Sequence, residues 1–220
     1  TIYFYDECYA RFSVEEYRAS ETDYENSFVH LVNNSIGKNS ENFGRTFTTE
    51  GGEVVEGFMM GYESLINHFK TVSGKDIMRE KISPRMKDIA KWSLMCASEM
   101  IEHRKNSWEL YGFDYMVDSD YNTWLIEINS SPACDYSTKT TERYVQKALV
   151  EILSVVLDTR EYEATSKKNR ESKGMVKPDT GGWEMIYKGP LLDKPVSSFG
   201  ADICVKGDAI KLPVVRRAAN

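Results

Sequence analysis

The chain has 220 residues, 41% of them hydrophobic, which is enough apolar material for a buried core in one or two domains. Its formal net charge of −6 argues against a general nucleic-acid binder. No apolar run approaches the roughly 18–20 residues of a membrane span, and there is no signal-peptide pattern. Four cysteines, Cys8, Cys96, Cys134 and Cys204, lie far apart without a C-x-x-C pair, which argues against a zinc site and for reduced thiols in a cytosolic compartment.

Thr1–Phe12 (TIYFYDECYARF) is rich in Tyr and Phe and is expected to form a strand pair or one bent strand. It starts without an initiator Met, so the sequence reads as the C-terminal portion of something longer. Tyr24–Lys38 has helical spacing at Phe28, Leu31 and Ile36, with Gly37 able to end the helix. His30 within it reads as a packed histidine. Residues 39–56 are polar, Gly-rich and aperiodic, as in a flexible surface loop. From Gly57 to Val72 a rough helical spacing returns at Phe58, Met59, Tyr62, Leu65, Ile66 and Phe69. That stripe is expected in the core, with His68 on the solvent side. Ser83-Pro84 predicts the start of the clearest helix, Ser as N-cap and Pro at the first helical position. Met86, Ile89, Ala90, Leu94, Ala97, Met100 and Ile101 line one broad face up to about His103. Arg104 and Lys105 then suit the negative end of that helix, which is expected to back the next element.

Trp108–Asp135 (WELYGFDYMVDSDYNTWLIEINSSPACD) reads as two strands and a turn. With a loop over Ser119–Asn122, Asp118 faces Thr123 and the register carries Asp114 opposite Glu127. Side chains alternate along a strand, so Glu127 and Asn129 share a face that Asp114 joins from across the ladder. Gly112 falls opposite Asn129 and leaves open space. The other face pairs Phe113 with Ile128, Tyr115 with Ile126 and Val117 with Trp124, as a core face. Two carboxylates and an amide oxygen are what Mg²⁺ takes, since it prefers oxygen ligands and is held by one or two carboxylates plus substrate phosphates. The register alone is equally compatible with a half-exposed hairpin whose polar residues face water, although opposed carboxylates without a cation repel.

After a Ser130-Ser131-Pro132-Ala133 turn, a second strong helix is predicted from Thr140 to Asp158, with Val145, Leu149, Ile152 and Val156 on one face. Residues 159–182 read as a polar linker. Trp183–Ile186 suggests a short strand, and 183–220 a tail that packs back on the domain.

ELYGFDYMVD followed by WLIEINSSP resembles the metal-binding hairpin of the ATP-grasp ligases, specifically the tubulin–tyrosine ligase-like family. The similarity runs from residue 1 to about Cys204. RKNSWELYG and WLIEINSSP resemble the glycine-ligase branch, the tubulin glycylases, more than the tyrosine or glutamate ligases. The resemblance implies an α+β fold, the C-terminal part of an ATP-grasp fold, with antiparallel sheet packed with helices. It implies Mg²⁺ on Asp114, Glu127 and Asn129, holding ATP phosphates. Arg11 matches the family arginine that faces the terminal phosphate and the acceptor carboxylate. Without that match it reads as a surface or core-edge arginine. H-L-V-N-N-S-I is similar to the family's His-Leu-Thr-Asn segment and makes Val32 and Asn33 nucleotide neighbours, with Ser35 near the acceptor. Val32 stands where many relatives have Thr, so only a backbone contact could survive there. Arg143 matches a basic residue that contacts the substrate. A solvated helix charge is the equal alternative.

The activity implied is ATP-dependent amide formation. A glutamate γ-carboxylate in a tubulin tail would be phosphorylated, and the amine of free glycine would attack the acylphosphate. The positive charge needed for an acidic tail would be local: Arg104 and Lys105, or Lys139, Arg143 and Lys147. The resemblance further implies a monomer located in the cytoplasm on microtubules or an axoneme. Because the family's base-binding half lies outside this sequence, 1–220 alone is expected to be inactive and to bind ATP weakly. A glutamate donor, or a non-catalytic microtubule-binding protein with a relic ATP site, remain alternatives.

Overall fold

The aromatic segment at the start of the chain forms two strands, β1 (Ile2–Tyr5) and β2 (Tyr9–Arg11), that serve different sheets. The structure, a computed structural model, describes residues 1–17, 24–98, 100–101, 104, 107–134 and 138–190. The expectations for His103, Lys105, Cys204 and the tail beyond residue 190 lie outside these residues.

The predicted 24–38 helix is two single turns, α1 (Ser27–His30) and α2 (Asn34–Gly37). Leu31 and Asn33 are extended between them. Asn26 caps α1 by accepting the Phe28 N–H, and Asn-rich sequence favours such local caps over a continuous helix.

The segment expected as a flexible loop instead carries β3 (Thr46–Thr48) and β4 (Val54–Glu56), which pair with each other. β5 (Met59–Gly61) follows after a turn with Gly57 and Phe58 both at positive φ, the geometry of a tight hairpin loop. Strands of three residues are too short to show a period. Their order in one antiparallel sheet is β2-β5-β4-β3. The Met and aromatic stripe does lie in the core, but Met59 and Met60 lie on β5, and only from Tyr62 does α3 (Tyr62–Ser73) begin. His68 is half-buried, with Nδ1 3.1 Å from Thr49 Oγ1, rather than solvent-side.

The clearest helix, α4 (Ser83–Ala97), does not start at a Ser83 cap. Its backbone is continuous with a π-turn at Met78–Ile82, and Ser83 is already helical. Met78 and Ile82 are buried, which explains the extension. The core packs these two against Val55, Met60, Tyr62, Leu65, Ile66 and Tyr144.

The last long helix, α5 (Lys139–Leu153), begins with a Thr138/Thr141 capping box and runs through a π-turn, Ser154–Asp158, into α6 (Thr159–Ala164). Its buried face is Thr141, Tyr144 and Ile152, while Leu149 is exposed. The stretch 159–182 expected as a polar linker is therefore helical in part, with α6 and then α7 (Lys167–Lys173) separated by an extended Thr165. β8 (Trp183–Tyr187) then returns to pair antiparallel with β1. Lys87 on α4 joins that pair, 2.7 Å from Asp6 and 2.5 Å from Glu184.

Candidate functional site

β6 (Gly112–Val117) and β7 (Thr123–Asn129) form the predicted hairpin. Asp114 is paired with Glu127, Phe113 with Ile128, and Gly112 with Asn129. Nearer the loop the register differs from expectation: Tyr115 pairs with Leu125 and Val117 with Thr123. The loop is one residue shorter, because the Asp118 N–H donates to Asn122 O at 3.0 Å. A bulge between Asp114 and Tyr115 absorbs Ile126 and restores the register at Asp114. The loop is held by the Asp118 carboxylate, which accepts from the Asp120 and Asn122 N–H groups, Asn122 Nδ2 and Trp124 Nε1. Those bonds, led by the indole, hold Asp118 down at about 2. Tyr121 takes the left-handed conformation that closes a three-residue loop, and its ring packs edge-on against Phe69 at 5.7 Å. Tyr115 Oη donates to Met86 O at 3.0 Å and so fixes the hairpin on α4.

The face expected as core is only half so. Phe113, Tyr115 and Val117 are half-buried, but Ile126 and Ile128 are exposed. Nor is there open space at Gly112. A Cβ there would lie 3.0 Å from Pro132 Cβ, so the glycine lets the Ser-Ser-Pro turn close against the hairpin beside Asn129.

Asn129 Nδ2 donates to Asp114 Oδ2 and to Glu127 Oε1, at 3.1 Å each. Partial burial, then the hydrogen-bonded Glu127 carboxylate, raise Asp114 above its ordinary value, and the charge of Arg11 opposes that shift. Among the described residues no group of three His, Cys, Asp or Glu side chains is placed to hold a metal. The constellation here is two carboxylates and an amide. Its donor chemistry fits a hard divalent cation: the carboxylates repel each other until a positive charge joins them, and a half-turn of the Asn129 amide presents oxygen in place of nitrogen.

Arg11 lies on β2, opposite Met59 of β5. With Val32, Asn33, Phe43 and Phe58 it lines a hollow of about 20 Å³, room for a water and not for a nucleotide. The structure thus brings Arg11, Val32 and Asn33 together, and places Arg11 within electrostatic reach of Asp114. Ser35 is exposed on α2 and does not line that hollow. Arg143 stands on α5, 3.6 Å from Glu7, whose carboxylate also binds Lys147. Tyr9 and Tyr144 lie between Arg11 and Arg143, and sequence reasoning overlooked both. The available signal was that Tyr9 and Arg11, two apart on a strand, share a face.

The family model for the tubulin-tyrosine ligase family matches residues 1–164. Tubulin glycylase 3C of Tetrahymena thermophila is 39% identical over 212 residues, 96% of this chain and 18% of that protein. Tubulin glycylase 3D of the same organism is 35% identical, covering 96% of this chain and 20% of the relative. Tubulin monoglycylase TTLL3 of Danio rerio is 33% identical over 214 residues, 97% of this chain and 25% of the relative. The chain therefore spans a quarter or less of the length of these curated relatives. With a family match over most of its length, the chain belongs to the tubulin-tyrosine ligase family.

Proposed function

We propose that the protein containing this chain is an ATP-dependent glycine ligase acting on glutamate side chains of tubulin tails, with the C-terminal part of an ATP-grasp fold as its scaffold. The observation that carries the reading is the opposed pair Asp114 and Glu127 with Asn129 bonded to both. The glycylase names of the relatives support glycine as the donor and tubulin as the acceptor.

In this reading Asp114, Glu127 and Asn129 hold Mg²⁺, which supplies charge neutralisation on the ATP phosphates. Arg11 presents its guanidinium fork to the oxygens of the transferring phosphoryl group and of the acceptor carboxylate. The γ-carboxylate takes the phosphoryl group and ADP leaves. The glycine amine then forms the amide bond, losing a proton as phosphate departs. Positioning and electrostatics suffice, so no nucleophilic side chain is required. Val32 and Asn33 border the nucleotide, and Arg143 meets a carboxylate of the tail. Microtubules, in the cytoplasm or a cilium, are the proposed address.

The test is transfer of labelled glycine to microtubules by the full-length chain. Transfer of glutamate instead would move the protein to another branch, and ATP-independent microtubule binding without transfer would favour a non-catalytic role.

A further inference from the structure

Tyr9 stands two residues before Arg11 on β2, so the two side chains leave one face of the strand. The Arg11 guanidinium carbon lies 5.5 Å from the centre of the Tyr9 ring. The Tyr9 ring lies 5.9 Å from that of Tyr144, tilted by 33°. Tyr144 in turn carries the Arg143 guanidinium 5.6 Å from its centre. Guanidinium, ring, ring and guanidinium therefore form one ladder across β2 and α5. Both cation–ring distances fall within the roughly 6 Å range of favourable contact.

The two rings differ in their surroundings. Tyr144 is only 7% exposed, and its Oη accepts the buried Tyr62 N–H at 2.8 Å. Tyr9 is 37% exposed, and among the described residues no hydrogen bond holds its hydroxyl. A guanidinium laid on a ring keeps its edge N–H groups free for carboxylates. At the Arg143 end a carboxylate is already engaged, since Glu7 reaches both Arg143 and Lys147. The Tyr9 ring is thus an accessible aromatic face backed by Tyr144 and flanked by two carboxylate-seeking groups, and one of these groups lies within electrostatic reach of Asp114.

We infer that Tyr9 is a positioning residue for an acidic acceptor peptide, which lies across its ring with one carboxylate at Arg11 and another at Arg143. The inference deepens the ligase reading and rests on it for the reaction, but peptide binding itself requires neither ATP nor glycine. Tyr9 touches no reacting atom. It supports the peptide between the two guanidinium groups.

The experiment uses the full-length chain and a fluorescent glutamate-rich peptide, with Tyr9→Phe and Tyr9→Leu. Leu keeps Tyr144 covered and removes the aromatic face, whereas Phe keeps the face. Binding without nucleotide is expected to weaken about tenfold in Tyr9→Leu and to stay within about twofold in Tyr9→Phe. The melting temperature and the KM for ATP should not move. Wild-type affinity in Tyr9→Leu, equal losses in both variants, a shift in the KM for ATP, or no peptide binding by the wild type would each overturn the inference. If Tyr9→Leu loses peptide while the wild type transfers no amino acid, the inference stands and the ligase reading fails. If the wild type transfers glycine and Tyr9→Leu binds peptide normally, the inference alone fails.

Discussion

Asp114 and Glu127 face each other directly across the β6–β7 ladder and take their hydrogen bonds from one amide nitrogen, that of Asn129, at 3.1 Å each. Like charges opposed on a ladder destabilise it by about 0.2–1 kcal/mol. In metal-free protein, Asp114→Asn or Glu127→Gln should therefore raise the melting temperature by about 1–3 °C, while removing any stabilisation by added Mg²⁺. Thermal scans of the full-length chain with and without Mg²⁺ check this. A lower melting temperature for both variants without metal would contradict it.

Arg11 joins the small hollow beside Val32 and Asn33 to the Asp114 carboxylate electrostatically. The role proposed for it needs a planar fork rather than a point charge. Arg11→Ala is expected to lower kcat/KM about 10²–10³-fold, the cost of losing one oriented donor at a developing charge. Arg11→Lys should recover little of that. Steady-state rates with saturating ATP decide it, and a fully active lysine variant would count against the bidentate role.

Gly112 lies where a Cβ would meet Pro132 Cβ at 3.0 Å. Gly112→Ala forces the Ser-Ser-Pro turn outward and should cost about 1–3 kcal/mol, the usual cost of overpacking. Denaturant unfolding measures it. An unchanged midpoint would mean that the turn gives way freely.

Asp118 is held at about 2 by the Trp124 indole and the loop N–H groups, against about 3.9 for a free aspartate. Its carboxylate contribution is therefore fully present above about pH 4 and is lost as the pH falls through about 2. The gap in melting temperature between wild type and Asp118→Ala should narrow over that window. A gap independent of pH would show that the loop does not need the charge.

The two carboxylates were legible because alternation along a strand needs only a period of two, and Glu127 and Asn129 keep it. Their pairing with Asp114 was reached through two offsets that cancel: a loop shorter by one residue, and Ile126 taken out of the ladder by a bulge. Neither offset is visible in WLIEIN, whose apolar residues fit either register. The β3–β4 hairpin was missed because Thr46–Thr48 and Val54–Glu56 are too short to alternate convincingly, and only burial of Val55 reveals their purpose. The opening of α4 at Ser83-Pro84 was legible, but the cap was not: Met78 and Ile82 are buried in a π-turn that runs straight into the helix, so Ser83 is already helical. Tyr9 was overlooked because its partner, Tyr144, lies far along the chain, and contacts of that range carry no local pattern.

Donor choice and the need for the Asp114–Glu127 pair are read together by incubating the full-length chain with microtubules, ATP, Mg²⁺ and labelled glycine or glutamate, beside a Glu127→Gln control. Glycine alone is expected to be incorporated, and Glu127→Gln to abolish its incorporation. Incorporation that survives Glu127→Gln, or none of either amino acid by the wild type, would contradict it.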